Sequence, residues 1–211
     1  MSTLLIAGTR AQVGKSTLAA ALAAYWQIYF TKRSTGASKL ALERFTPGDS
    51  VGLGSTGWLD LAQAWQKLTH LSSRTVLMEL PGGLGTPLTP EATVADLAWD
   101  WRLPTVLVVP VTSDMMEQAI AHAALAHQAR VHLKGIVLNH ISPPLPDDVS
   151  NSSWNSSLGA AVALMQSFTQ APVLGQLPYL SDTEDANALA AAASHLDLER
   201  LFPLSMLMTA S

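Results

Sequence analysis

Gly8-Thr9-Arg10-Ala11-Gln12-Val13-Gly14-Lys15-Ser16-Thr17 stands between an apolar run, Thr3–Ala7, and an Ala- and Leu-rich stretch, Ser16–Gln27. The run reads as a buried strand and the stretch as a helix. A glycine-rich turn between a strand and a helix lets backbone N–H groups curl around phosphate oxygens, and the helix adds its positive end. In such a loop Lys15 reaches the terminal phosphates and Ser16 is placed to ligate Mg²⁺. The alternative is an ordinary strand–helix turn that happens to contain Gly-Lys-Ser. Five residues, not the usual four, separate Gly8 from Gly14.

Outward from this loop, strand-like and helical runs alternate. Strands are predicted at Ile28–Thr31, Thr75–Met78, Pro104–Val111, Lys134–Asn139 and Pro172–Gly175. Helices are predicted at Trp58–Leu71, Glu91–Trp101, Asp114–Gln128, Leu158–Phe168 and Ala186–Ala193. Thr46–Gly57 and Ile141–Ser157 read as loops. Continuous apolar strands between helices imply an α/β fold: a doubly wound, mainly parallel sheet with helices on both faces, in three layers. The 211 residues fit a single domain, residues 1–211.

Composition narrows the function. Twelve Lys and Arg against sixteen Asp and Glu leave a charge of −4, which argues against a general grip on nucleic acid. Hydrophobic residues make up 48% and charged residues 13%, so a packed core is expected, with some apolar surface covered by a partner subunit. The absence of Cys removes disulfides, thiolate metal sites and a Cys nucleophile, and fits the cytoplasm. There is no secretion signal and no apolar run long enough to span a membrane, so no membrane partner is expected.

The five-residue spacing, in Gly8-Thr9-x-x-x-Val13-Gly14-Lys15-Ser16, resembles the phosphate loop of the dethiobiotin synthetases. Four further stretches resemble the same family in the same order. Glu79-Leu80-Pro81-Gly82-Gly83 is similar to its Glu-Gly-x-Gly-Gly motif. Thr93–Leu97 followed by Leu103–Val109 is similar to the next helix and strand. Gly135–Asn139 is similar to a strand ending in an adenine-reading Asn, and Pro172–Pro178 to a stretch that packs on the base.

The resemblance implies a homodimeric enzyme that uses MgATP to join CO₂ to 7,8-diaminopelargonate through a carbamate. By the same resemblance Gln12, Val13, Gly14, Lys15, Ser16 and Thr17 wrap the phosphates, with Glu79 and Gly82 beside them. Ser16 and Glu79 hold Mg²⁺, Asn139 reads adenine, and Pro178, Tyr179 and Leu180 wall the base. Lys32, in Lys32-Arg33-Ser34-Thr35-Gly36, is the nearest match to the family's catalytic Lys, and Thr35 to a substrate contact. For each of Glu79, Asn139 and Lys32 a plain loop or turn residue is the alternative.

The chain departs from the family on the substrate side. The 37–74 segment is shortened and divergent and lacks the family's metal-binding Asp; Glu43 and Asp49 do not match it by position. If Ser16–Gln27 is helical it descends about 18 Å, whereas the five steps from Gln27 to Lys32 climb about 17 Å at best. Either the helix ends earlier or Lys32 falls short. Asp114 and Glu117, three apart at a helix start, read as a capping box and would repel an anionic ligand. Two alternatives therefore stand beside an active enzyme. One is a nucleotide-binding paralogue that has lost catalysis. The other is a ParA/MinD-like ATPase, whose signature Lys would fall at Arg10.

Overall fold

The computed structural model describes residues 2–30, 40–44, 58–71, 74–143 and 152–202. Among them six strands form one parallel sheet: β1 (Ser2–Gly8), β2 (Leu40–Arg44), β3 (Thr75–Gly83), β4 (Thr105–Pro110), β5 (Leu133–Asn139) and β6 (Val173–Leu177). Their order is β2-β3-β1-β4-β5-β6. The order reverses at β1, which pairs with β3 on one side and β4 on the other. In open α/β sheets ligands bind at the carboxyl ends of the strands beside such a switch point.

Alternation along the strands splits the core into two layers. Leu5, Ala7, Met78, Leu107, Val109 and Leu138 belong to one cluster, with Leu68, Ala95, Ala119 and Met165. Those four come from α2 (Leu61–His70), α3 (Val94–Asp100), α4 (Met115–Gln128) and α5 (Ser152–Thr169). Leu4, Ile6, Leu77, Val108 and Val137 face the other way onto α1 (Lys15–Tyr25) and α6 (Ala186–Ala193), with α7 (Leu198–Leu201) at the end. Strands buried on both faces must be apolar at every position, which is why they read as continuous runs rather than alternating ones.

Three sequence readings are corrected. Ile28–Phe30 is not a strand: α1 runs directly into a five-residue π-helical segment, Trp26–Phe30. Trp26 is buried against Phe202, with ring centroids 5.3 Å apart, and Tyr25 meets Tyr29 in a tilted contact at 4.7 Å. A short apolar run is compatible with either state, and here the aromatic contacts favour continued helix. The second strand is instead Leu40–Arg44, an edge strand in register with β3 from Leu40–Thr75 to Arg44–Glu79. Finally, Ser152–Ser157 opens α5 rather than closing a loop.

The helix starts are made in different ways. Thr93 caps α3 by accepting from Asp96 N–H, and Asp96 accepts from the Thr93 backbone in return. The expected box at Asp114 is absent: its side chain makes no capping bond to α4. Its carboxylate accepts instead from the Thr112 hydroxyl, the Gln118 side-chain amide and Arg10. Glu43 is likewise engaged, paired at 2.5 Å with Lys67 of α2.

Candidate active site

The loop between β1 and α1 is shaped by steric necessity. Gly14 is the residue before α1 and has φ +89°, a left-handed conformation that side chains resist. A Cβ there would lie 1.9 Å from Asn139 Nδ2. On the opposite wall, a Cβ on Gly83 would lie 2.6 Å from the Thr9 carbonyl oxygen. The register between β1 and β3 slips after Ile6–Glu79, so that Gly8 meets Gly83 and Leu80–Gly82 bow out beneath the loop.

This bow determines what Lys15 touches. Its ammonium donates to the Gly82 carbonyl at 2.9 Å and reaches the Arg10 carbonyl at 3.5 Å, closing the loop on itself. Burial pulls the Lys15 pKa below its ordinary value, and the Glu79 carboxylate opposes that shift. The next residue, Ser16, donates from its hydroxyl to Glu79 Oε1 at 2.6 Å. A hydroxyl and a carboxylate oxygen in contact at a helix start are hard oxygen donors of the kind Mg²⁺ takes. The first turn of α1 carries no acidic residue and no side-chain cap, which leaves its N–H groups for an anion.

Asn139, at the end of β5, is buried, and its Nδ2 donates to the Val13 carbonyl at 2.9 Å. That assignment of N and O is chemically forced, because a carbonyl can only accept. Its Oδ1 is buried and has no hydrogen-bond partner among the described residues; the same holds for Thr9 Oγ1 in the loop. Buried polar atoms without partners are rare and point to a ligand or ordered water. Next to Asn139 opens a pocket of about 530 Å³ lined by His140, Gly175, Gln176, Pro178, Tyr179 and His195. His140 Nε2 lies 3.1 Å from Gln176 Oε1 on its wall.

The structure therefore brings Gln12–Thr17, Glu79, Gly82 and Asn139 together at the switch point and places Pro178 and Tyr179 on the neighbouring pocket. Leu180 packs against the α1-side core instead of lining that pocket. Lys32 and Thr35 lie outside the described residues, as does Asp49. Sequence reasoning missed the Arg10–Asp114 pair, 104 residues apart, and the bond from Asn139 to the loop. A basic residue inside the loop and acidic residues at a helix start were visible signals. Their meeting was not.

Fold and site together define a phosphate-loop nucleotide-binding protein. A family model described as an AAA domain matches residues 55–187. The ATP-dependent dethiobiotin synthetase BioD of Gloeothece citriformis is 40% identical over 233 aligned positions, covering 97% of this chain and 100% of that protein. The enzyme of the same name from Crocosphaera subtropica is also 40% identical, over 96% and 100% of the two chains. The chain belongs to the ATP-dependent dethiobiotin synthetase family. Since the 233 aligned positions exceed the 211 residues of the chain, the Gloeothece protein carries residues that this chain lacks. Among solved structures, the MinC:MinD cell division complex of Aquifex aeolicus matches with a TM-score of 0.58 at 13% identity, covering 100% of this chain and 97% of that one. At that identity the likeness is one of fold.

Proposed function

We propose that this protein closes the ureido ring of dethiobiotin from 7,8-diaminopelargonate, CO₂ and ATP. One amine adds to CO₂ and gives up a proton, leaving a carbamate. A carbamate oxygen takes the γ-phosphoryl group and ADP leaves. The second amine then attacks the carbonyl carbon, the C–O bond to phosphate breaks, and phosphate and a proton are released. This chemistry asks the protein for alignment and charge neutralisation more than for covalent work.

The observation that carries the reading is the contact set at the switch point, Lys15 on the loop and Ser16 on Glu79, in a chain aligned end to end with dethiobiotin synthetases. Lys15 exchanges the Gly82 carbonyl for the β- and γ-phosphates, and the α1 N–H groups hold their oxygens. Ser16 and Glu79 would hold Mg²⁺, which supplies neutralisation of the phosphate charge. Asn139, with one Nδ2 hydrogen on Val13 and its Oδ1 buried without a partner among the described residues, has an acceptor available for the adenine amino group. Pro178 and Tyr179 flank the base.

Lys32 is assigned to the charge that develops on the carbamate and γ-phosphate, and Thr35 to a substrate contact, both by resemblance. The test of Lys32 is Lys32→Ala: turnover falls with ATP affinity intact if its side chain serves the phosphoryl group, and full turnover removes the assignment. The enzyme works as a homodimer in the cytoplasm, the dimer being testable by light scattering. No helix among the described residues is long and apolar enough to cross a membrane.

The deciding experiment incubates purified protein with MgATP, bicarbonate and 7,8-diaminopelargonate and follows dethiobiotin by mass spectrometry together with ADP. Dethiobiotin formed in step with ADP is the expected result. ADP without dethiobiotin would favour a ParA/MinD-like ATPase, and bound ATP with neither product a paralogue that has lost catalysis.

A further inference from the structure

The end of the sheet away from the phosphate loop carries charges that the site does not use. There α3 and α4 finish in the same turn. Leu103 N–H donates to the Ala98 carbonyl at 2.9 Å and Arg102 N–H to Trp99 at 3.0 Å. In the equivalent places Val131 donates to Ala126 at 2.8 Å and Arg130 to His127 at 3.1 Å. This closure turns on one left-handed residue, usually glycine, because a side chain there crowds the backbone. Here both are arginines, Arg102 with φ 51° and Arg130 with φ 57°. A cation suits the negative end of a helix, but a place in the last turn would supply it without strain. Strain kept at matching places points to use.

The two arginines stand side by side. Each lies three residues ahead of Thr105 or Leu133, which pair where β4 and β5 begin. Both are exposed, and neither guanidinium has a carboxylate partner among the described residues, Asp100 of α3 included. Arg130 lies over Trp99, 6.0 Å from the ring centroid, and Trp99 is 48% exposed. On the other side of α3, Trp101 meets the exposed Trp65 edge-on at 5.1 Å. Trp and Arg are the anchors that protein interfaces favour.

The carboxyl end of the sheet has the complementary surplus. Between β6 and α6, Ser181-Asp182-Thr183-Glu184-Asp185 is exposed throughout. Asp182 accepts from Glu184 N–H, and Asp185 from Asn187 and Ala188 N–H. None of Asp182, Glu184 and Asp185 pairs with a cation among the described residues.

We propose that copies of this chain associate end to end, the Arg102–Arg130–Trp99 face of one copy seated on the Asp182–Asp185 loop of the next. A second copy is the occupant because one chain carries both unpaired sets. A foreign acid would satisfy the arginines and leave the acidic loop bare. The contact is heterologous, so each added copy leaves a free face and growth continues, whereas a two-fold dimer closes. The loop follows directly on Pro178–Leu180, which brings each contact beside the base pocket of one copy.

Sedimentation velocity of the full chain across concentration tests this, in low salt and in about 1 M salt, where charges are screened beyond about 3 Å. Mass that grows with concentration in low salt and falls back in high salt is expected. Arg102→Gly with Arg130→Gly is expected to weaken association about tenfold or more while raising the melting temperature, because glycine relieves both turns. Arginines that serve only the helix ends would give the higher melting temperature with association unchanged, and that result overturns the proposal. Arg102→Glu with Arg130→Glu, and separately Asp182→Lys with Glu184→Lys, should each abolish assembly alone and restore it when the two proteins are mixed. Folded variants that stay apart on mixing overturn it as well. So does a constant mass at every concentration and salt, which would leave the homodimer above intact if that mass is a dimer's. Arginine-dependent binding of polyglutamate or of phosphatidylserine vesicles without self-assembly would give the face to a foreign partner and overturn the second copy.

Discussion

The inner part of this loop and its outer edge are held on different principles. In the inner part, Lys15, Ser16, Glu79 and Asn139 come from three elements and are tied to one another or to the loop backbone by bonds of 2.6–2.9 Å. Lys15 and Asn139 are buried, and the backbone around them tolerates no side chain at Gly14 or Gly83. At the outer edge of the loop, Arg10 and Asp114 meet in the open. A triphosphate presents the same oxygens in every turnover, so its cradle can be rigid and made largely of main chain.

Substitutions can break that contrast. Lys15→Ala removes the buried cation of the rigid side and is expected to reduce MgATP affinity at least about 100-fold by calorimetry. Unchanged affinity would overturn the loop assignment. Gly14→Ala forces a side chain into Asn139 and into a left-handed backbone conformation, at an expected cost of about 2–4 kcal/mol in urea unfolding. Glu79→Ala is expected to raise the Mg²⁺ requirement of turnover about tenfold or more with little change in adenine affinity. A wild-type Mg²⁺ titration would show that Glu79 is not a ligand.

Smaller effects sharpen the contrast. Wild type is expected to prefer ATP to inosine triphosphate, whose base has a carbonyl in place of the amino group. Asn139→Ala should narrow that preference about five- to tenfold. Lys15 also sets a pH dependence. Its folded pKa lies below 10.5, so folding carries the cost of a buried charge at neutral pH, and that cost fades as pH rises through the folded value towards 10.5. Relative to Lys15→Met, wild type should therefore gain stability with rising alkaline pH while losing affinity for ATP. Thermal melts and calorimetry across pH read both. Arg10→Ala comes last, with no resolvable change in melting temperature expected.

The readable parts of the sequence were those in which local pattern and tertiary role coincide. β3 began at Thr75 as read and runs on to Gly83, five residues past the expected end, whereas β1, β4 and β5 announced themselves as apolar runs near their observed bounds, as Thr105–Pro110 shows. The β2 edge strand did not. Leu40-Ala-Leu-Glu-Arg44 is short, with Leu42 exposed, and it is recognisable only by its pairing with β3. The Trp26–Phe30 stretch misled in the opposite direction, because β-prone aromatic residues there are held helical by packing on Phe202 and within their own turn. Asp114 had the spacing of a cap and went elsewhere because Thr112, Gln118 and Arg10 offered it donors at the same place.

By itself, the sequence determined the phosphate loop, with Lys15 and Ser16 in it, and the parallel α/β class. These rest on spacing along the chain and on the polarity of single elements; Glu79 and Asn139 were named by resemblance to a family. The tertiary structure decided what those groups do to one another: that Asn139 donates to Val13, that Lys15 waits on Gly82, and that Arg10 crosses to Asp114. Those contacts join residues 67 to 126 positions apart. They exist because parallel strands carry distant loops to one end of the sheet, and no local pattern encodes which loop end meets which.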